Sequence, residues 1–365
     1  VAMLDGLSVY GDAYIALGQQ IYDGSFLNAF FYSPTVLPLL APLGLMAAGP
    51  ASAAFMVVTA STIIASAAAS GWILRHRPML VDWRIVTAVA VVVGAGILRP
   101  SISTLFLGSG KFLMLAGLVL WMAGALRGAA GQGRHGWEDW MGLGLQSVGL
   151  AIVLMKPQYG VVLFLVCIVR PAWRLGAIGA VLVSALLYGV AALPHGLFGY
   201  AFDFLESVSA YSGRPENSGE VLIGLYGIAG NLGVDGGVVM TLTLSVLAAA
   251  FLCWFLPEVA DPFSTALLAV VLGVIVAPTH TTDALLLLPA LVLVATVGPA
   301  WPRLCLLASV LVLSLVDWVL PPNLALPQDA LDLRMGVATA ALLLTAVALF
   351  LLARRPHLSL QEASS

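Results

Sequence analysis

The residues equipped for chemistry sit in a few polar stretches between long apolar runs. The stretch from Asp5 to Pro34, DGLSVYGDAYIALGQQIYDGSFLNAFFYSP, carries three acids (Asp5, Asp12, Asp23), four tyrosines (Tyr10, Tyr14, Tyr22, Tyr32) and no Lys or Arg. An ionised carboxylate can take a proton from an attacking hydroxyl. Asp23 follows Tyr22 and precedes Gly24, a turn composition that suits a structural role. That leaves Asp5 and Asp12 as candidate catalytic or ligand-binding acids. Tyrosines in such a place also serve as membrane-interface anchors.

Four further polar turns stand out. Ala277-Pro-Thr-His-Thr-Thr-Asp283 places His280 and Asp283 three residues apart, on one face if a helix begins there. A carboxylate beside an imidazole sets its tautomer and raises its basicity, which suits a proton acceptor; the plain alternative is a polar turn with Thr279 as a helix cap. Lys156, before Pro157, ends a long apolar run and suits either a phosphate as a point charge or the lipid headgroups by snorkelling. Gly108-Ser109-Gly110-Lys111, downstream of Arg99, could present backbone N–H groups to an anion at a helix start, although its spacing is not that of a Walker A loop. Ser212 to Glu220, with Arg214 and Asn217, reads as a ligand-facing or mobile loop.

These turns need elements to hold them, and composition says which. The chain is 61% hydrophobic and 9% charged over 365 residues, with mean hydropathy +1.04, whereas a soluble domain carries about 25% charged residues. Apolar runs of about 15–22 residues suit helices crossing a hydrocarbon core about 30 Å thick. Alternating strand-like segments are missing, so a β-barrel is not expected. Cys167, Cys253 and Cys305 all lie within apolar runs and show no metal-binding spacing, consistent with helix packing.

The expected fold is an all-α polytopic membrane protein. Pro34 to Pro50 is proline-rich and short, and is read as a re-entrant or interfacial helix near 34–48. Spans are expected at 51–74, 85–98, 111–127, 138–155, 158–170, 174–193, 236–256, 262–278, 284–298, 301–320 and 334–353, eleven in all. With the loop after the first span in the cytoplasm, ten cations (Arg75, Arg77, Arg84, Arg127, Arg134, Arg170, Arg174, Arg303, Arg354, Arg355) fall inside and five (Arg99, Lys111, Lys156, Arg214, Arg334) outside, the usual bias. Most acids, and the long loops 1–50, 194–235 and 321–333, fall outside. The outer face is therefore the expected working face, with 354–365 as a cytoplasmic tail and 1–365 as one domain.

Taken together, these residues resemble glycosyltransferase family 87, polyprenol-phosphate-sugar-dependent enzymes of the C superfamily of membrane glycosyltransferases. The resemblance rests on Asp5, Val9-Tyr10, Ala13, Gly18, Tyr22 and Phe31-Tyr32-Ser33-Pro34, on Lys156-Pro157, and on Pro278, His280, Asp283 followed by LLLLPAL. It implies about twelve spans, hence one before Val1. It maps the family's essential acid to Asp5 and its outer-loop histidine to His280. Asp12 is the alternative acid, because Asp5 stands one residue further from Tyr10 than the family pattern has it.

What the resemblance implies is an inverting transfer of a sugar, mannose or another hexose or pentose, from a polyprenyl-phosphate donor to a glycolipid or glycan acceptor at the cell membrane. Asp5, Asp12 or His280 would act as general base and Asp283 would orient His280. Lys111, Lys156 or Arg214 would steady the leaving phosphate, and Tyr10, Tyr32 and Asn217 would meet the sugar. No metal or other cofactor and no nucleic acid is expected; the bilayer is a partner. The rival reading is a transporter or flippase, which would need charges buried mid-span and access from the inner side. The clustering of acids on one face favours the enzyme.

Overall fold

The computed structural model describes residues 9–10, 16, 33–75, 77–96, 110–130, 137–212, 222–232, 237–257, 260–296, 300–319 and 328–354. Among them the chain is all-helical, with isolated bridges (Met79–Thr296 and Ile223–Thr279) in place of any strand. After a 3-10 turn at Pro34–Val36 come α1 (Leu37–Gly44), α2 (Ala48–Leu74), α3 (Trp83–Gly96), α4 (Lys111–Ala130), α5 (Trp137–Val153), α6 (Pro157–Val169) and α7 (Pro171–Ala192). Then follow α8 (Leu197–Ser212), α9 (Gly224–Asn231), α10 (Gly237–Phe255), α11 (Pro262–Val276), a 3-10 segment Thr281–Leu287, α12 (Leu288–Leu293), α13 (Ala300–Val319) and α14 (Gln328–Ala353). Helices are long and apolar enough to cross a membrane at Gly49–Leu74, Pro171–Ala192 and Ala330–Ala353; the other apolar helices are shorter.

Sequence punctuation explains the boundaries. Proline opens α6, α7 and α11, where its missing N–H is not needed and its fixed φ suits the first turn. Asp261 caps α11 by accepting from the Ser264 N–H at 2.8 Å, satisfying one of the orphan donors there. The short helix expected near 34–48 is present as the 3-10 turn and α1, only eight residues long.

Two expectations need correction. The segment 284–298 is not a continuous α-helical span. It is a seven-residue 3-10 stretch followed by the six-residue α12. At about 2.0 Å and 1.5 Å per residue it covers roughly 23 Å, short of the ~30 Å core. Pro289, in the first turn of α12, has no N–H to donate and cannot extend an α-ladder back across residues 281–287. The second correction is that 194–235 is not simply a loop. α8 and α9 occupy much of it.

The helices pack closely through small residues, as membrane helices do. A Cβ on Gly149 would lie 2.5 Å from the Gly117 carbonyl oxygen, and one on Gly124 the same distance from that of Gly142, so α4 and α5 run backbone against backbone. Trp121 and Trp173 meet edge to face at 5.2 Å, joining α7 to that pair. α11 is buried along almost its whole length and forms the centre. Large apolar side chains point outward from α2, α7 and α10 (Val57, Leu186 and Trp254 among them), the surface a bilayer would cover.

Contacts between distant segments sort into two ends of this bundle. At one end Arg77 bonds Asp261, Leu80 N–H reaches the Ala295 carbonyl at 2.9 Å, and Asp261 N–H reaches that of Ala353 at 3.3 Å. There too the Arg170 guanidinium donates to the Pro257 and Leu256 carbonyls at 2.9 and 3.1 Å. Burial alone would raise the Asp261 carboxyl, but Arg77 and Ser264 outweigh it and hold it below its usual value. At the other end Ser33 N–H donates to the Met155 carbonyl at 3.0 Å, and Ile223 N–H to that of Thr279 at 3.0 Å. The segments that charge bias assigns to a common side do meet one another.

Candidate functional site

At this second end three polar turns converge on one carboxylate. Asp283 is fully buried, 0% exposed. Its Oδ1 accepts from Lys111 Nζ at 2.7 Å and from Lys156 Nζ at 3.4 Å. Its Oδ2 accepts from the His280 backbone N–H at 2.9 Å. Residues 111, 156 and 283 are thus tied through a single side chain.

Each arm of the site is set by local structure. Lys111 is the first residue of α4. Lys156 precedes Pro157 and closes the tight turn between α5 and α6. Its ammonium donates to the Tyr159 hydroxyl and lies 4.4 Å from that ring's centre; Tyr159 is itself fully buried. α11 approaches this turn because residue 273 is glycine: a Cβ there would sit 2.8 Å from the Gln158 carbonyl oxygen. Thr279 turns the chain out of α11 by donating its hydroxyl to the Val274 carbonyl at 2.7 Å, so Thr279 does not cap the next segment. His280 occupies that position.

The two loops flanking the site are pinned to it by backbone bonds. Ser33–Met155 holds the end of the opening stretch against the Lys156 turn, and Ile223–Thr279 holds the end of the long loop against the His280 turn. Gly224 makes the second contact possible. Its φ is +80° and a Cβ would fall 2.5 Å from the Ile275 carbonyl oxygen, so this backbone conformation suits glycine. Its N–H donates to Thr339 Oγ1 at 2.9 Å, which brings in α14.

The electrostatics follow from burial beside cations. Burial first, then Lys111, Lys156 and Arg334, push His280 down to about 4 against the opposing pull of Asp283. The imidazole is therefore neutral at pH 7. Burial also lowers Lys156, to about 8, and Lys111 adds to this while Asp283 opposes it. A neutral ring, the Lys111 side chain and a second lysine that titrates near physiological pH surround the carboxylate. Such a group can receive an anion, since two ammoniums share one carboxylate oxygen.

The structure brings together Lys111, Lys156, His280 and Asp283 from the sequence-derived set. The carboxylate meets residue 280 through its backbone N–H, so Asp283 orients that turn as a whole. Tyr10 lies in a buried aromatic group, with Tyr200 and Phe204 each 5.3 Å away and His195 stacked on Tyr200 at 4.6 Å. Tyr10 thus packs on α8. Asp5, Asp12, Tyr32, Arg214 and Asn217 lie outside the described residues. Arg334, 2% exposed and acting on His280, was not singled out from sequence; its one signal there was a cation on the less basic side.

Comparison with known proteins adds one match. The family model of glycosyltransferase family 87 matches residues 30–289, well over half the chain. That stretch contains Lys111, Lys156, His280 and Asp283, and excludes Asp5, Asp12 and Arg334. No curated protein and no solved structure matches.

Proposed function

The chain belongs to glycosyltransferase family 87, and from that premise we propose that it moves a sugar from a polyprenyl-phosphate donor to a lipid or glycan acceptor, with inversion, on the outer face of the cell membrane. In this reading the Lys111–Asp283–Lys156 end faces outward. The observation that carries it is the two ammoniums on one buried carboxylate, beside the Ser33–Met155 and Ile223–Thr279 backbone bonds. It suits a phosphate held at the membrane interface better than a freely soluble nucleotide.

The chemistry runs as a displacement. The acceptor hydroxyl loses its proton to a general base as its oxygen attacks the anomeric carbon. The bond from that carbon to the phosphate oxygen breaks, and the electron pair leaves with the lipid phosphate. Lys111 and Lys156 sit where the growing negative charge is best stabilised, with Arg214 as a further cation. His280, held neutral first by burial and then by its cationic neighbours, is a poor place to deposit a proton: the imidazolium would form out of water and beside two lysines. That favours Asp5 or Asp12 over His280 as the base, with His280 free to hydrogen-bond the phosphate or the hydroxyl. Tyr32 and Asn217 would contact the sugar; Tyr10 packs on α8.

Membranes carrying the protein, incubated with radiolabelled polyprenyl-phosphate mannose and arabinofuranose, provide the test. Label should appear in a new lipid or glycan product. No transfer from either donor would overturn this donor class.

A further inference from the structure

We propose that Arg334 is a third cation of the phosphate site and that the cradle is tuned to the departing lipid monophosphate more than to the donor. This deepens the reading above and rests on it. Arg334 lies on the buried face of α14, together with Ala338, Ala341, Leu342 and Thr345, which recur at helical spacing. That face packs on α11. Its outer end is fixed beside the site by the Thr339–Gly224 bond and by α9, where a Cβ on Gly227 would lie 3.2 Å from Met335 Sδ. The same segment pairs through Ile223 with Thr279, next to His280. A guanidinium buried to this degree in an apolar bundle is costly and marks function when it faces a polar centre. Its effect on His280, alongside those of Lys111 and Lys156, agrees with that placement.

The charge change in the reaction makes such a site useful. The donor is a phosphodiester with one negative charge. Breaking the bond to the anomeric carbon leaves its electron pair on the phosphate and produces a monoester, whose second ionisation lies near ~6. The phosphate thus gains close to a full charge as the sugar departs, while the acceptor's proton goes to the general base. Cations gathered in excess of the Asp283 carboxylate bind that product state more strongly than the donor, which lowers the barrier. Arginine's planar fork suits two phosphate oxygens at once.

The test uses the purified full chain in nanodiscs, a short-chain prenyl monophosphate and the uncharged prenol as control. The monophosphate, not the prenol, should raise the thermal midpoint of the wild type and inhibit transfer. Arg334→Gln should weaken that binding about 10- to 100-fold and cut kcat by a similar factor, with donor KM changed much less. Arg334→Lys should recover part of both. If Arg334→Gln does not fold, Arg334→Lys alone decides: monophosphate binding weakened several-fold supports the cradle, and unchanged binding overturns it. Wild-type protein that ignores the monophosphate, or Arg334→Gln that binds it normally, also overturns it. A monophosphate shift that depends on Arg334 in a protein showing no transfer from either sugar donor would leave the cradle standing and remove the transfer reading instead.

Discussion

Replacing Asp283 with Asn should unbalance the site in a calculable way. The carboxylate accepts from both Lys111 and Lys156 and from the His280 N–H. An amide keeps the shape and can still accept the backbone bond, but the two ammoniums lose their counter-charge. Stranding a buried charge costs about 3–5 kcal/mol. Lys156 offers an escape. Its value is already near 8 with Asp283 pulling upward, so at pH 7 shedding its proton costs roughly 1.4 kcal/mol per unit of difference. The net loss of stability should therefore be about 1–3 kcal/mol, and Lys156 should be largely neutral at pH 7 in the variant.

That has two readouts. In the wild type, activity (kcat/KM) should fall as pH rises through about 8, where the free protein loses the Lys156 charge. Asp283→Asn should move that limb below pH 7. Stability moves the opposite way. A lysine whose folded value is depressed binds fewer protons folded than unfolded between pH ~8 and ~10.4, so its penalty is complete below that window and stability rises across it. Denaturant or thermal melts against pH, beside initial rates, give both curves. An Asp283→Asn protein with wild-type stability and an unmoved alkaline limb would refute the ion cluster.

Three further outcomes follow from geometry. Gly224→Ala, at φ +80° and with its Cβ 2.5 Å from the Ile275 carbonyl oxygen, should cost about 1–3 kcal/mol and lower turnover by displacing the Thr279–His280 turn; wild-type melting and rates would contradict it. Asp261→Asn should remove the α11 cap and strand Arg77, lowering stability by about 3 kcal/mol without moving the alkaline limb of the pH profile, which separates the two ends of the molecule. Gly149→Val should force α4 and α5 apart and destabilise by more than ~2 kcal/mol, read as loss of the monodisperse peak in size-exclusion chromatography; an unaltered profile and melt would contradict it.

Helix positions were largely legible because apolar runs broken by proline and arginine leave few alternatives. α11 begins within a residue of its expected place, at Pro262. The failures have physical causes. Residues 284–298 are as apolar as a span, and only Pro289 warned that they could not form one α-ladder. α8 hid in a loop because Asp203 and Glu206 broke its polarity pattern, though Phe198, Phe202 and Leu205, all exposed, follow helical spacing. Lys111, Lys156 and Asp283 were each noticed, and charge bias put them on one side. Their meeting on a single carboxylate oxygen depended on Gly273 and Gly224 permitting close backbone approach, which no residue pattern reveals. The role expected for Asp283 shifted for the same reason: the path of the His280 turn turns its N–H toward the carboxylate.

The central claim is that this buried cluster holds the lipid phosphate during sugar transfer. Its most direct test is the rate of label transfer from radiolabelled polyprenyl-phosphate sugar by wild type and by Lys156→Met, at matched folded protein in nanodiscs. The account predicts transfer by the wild type and a loss of about 100-fold or more in the variant. Transfer at the wild-type rate by a folded Lys156→Met protein would contradict it.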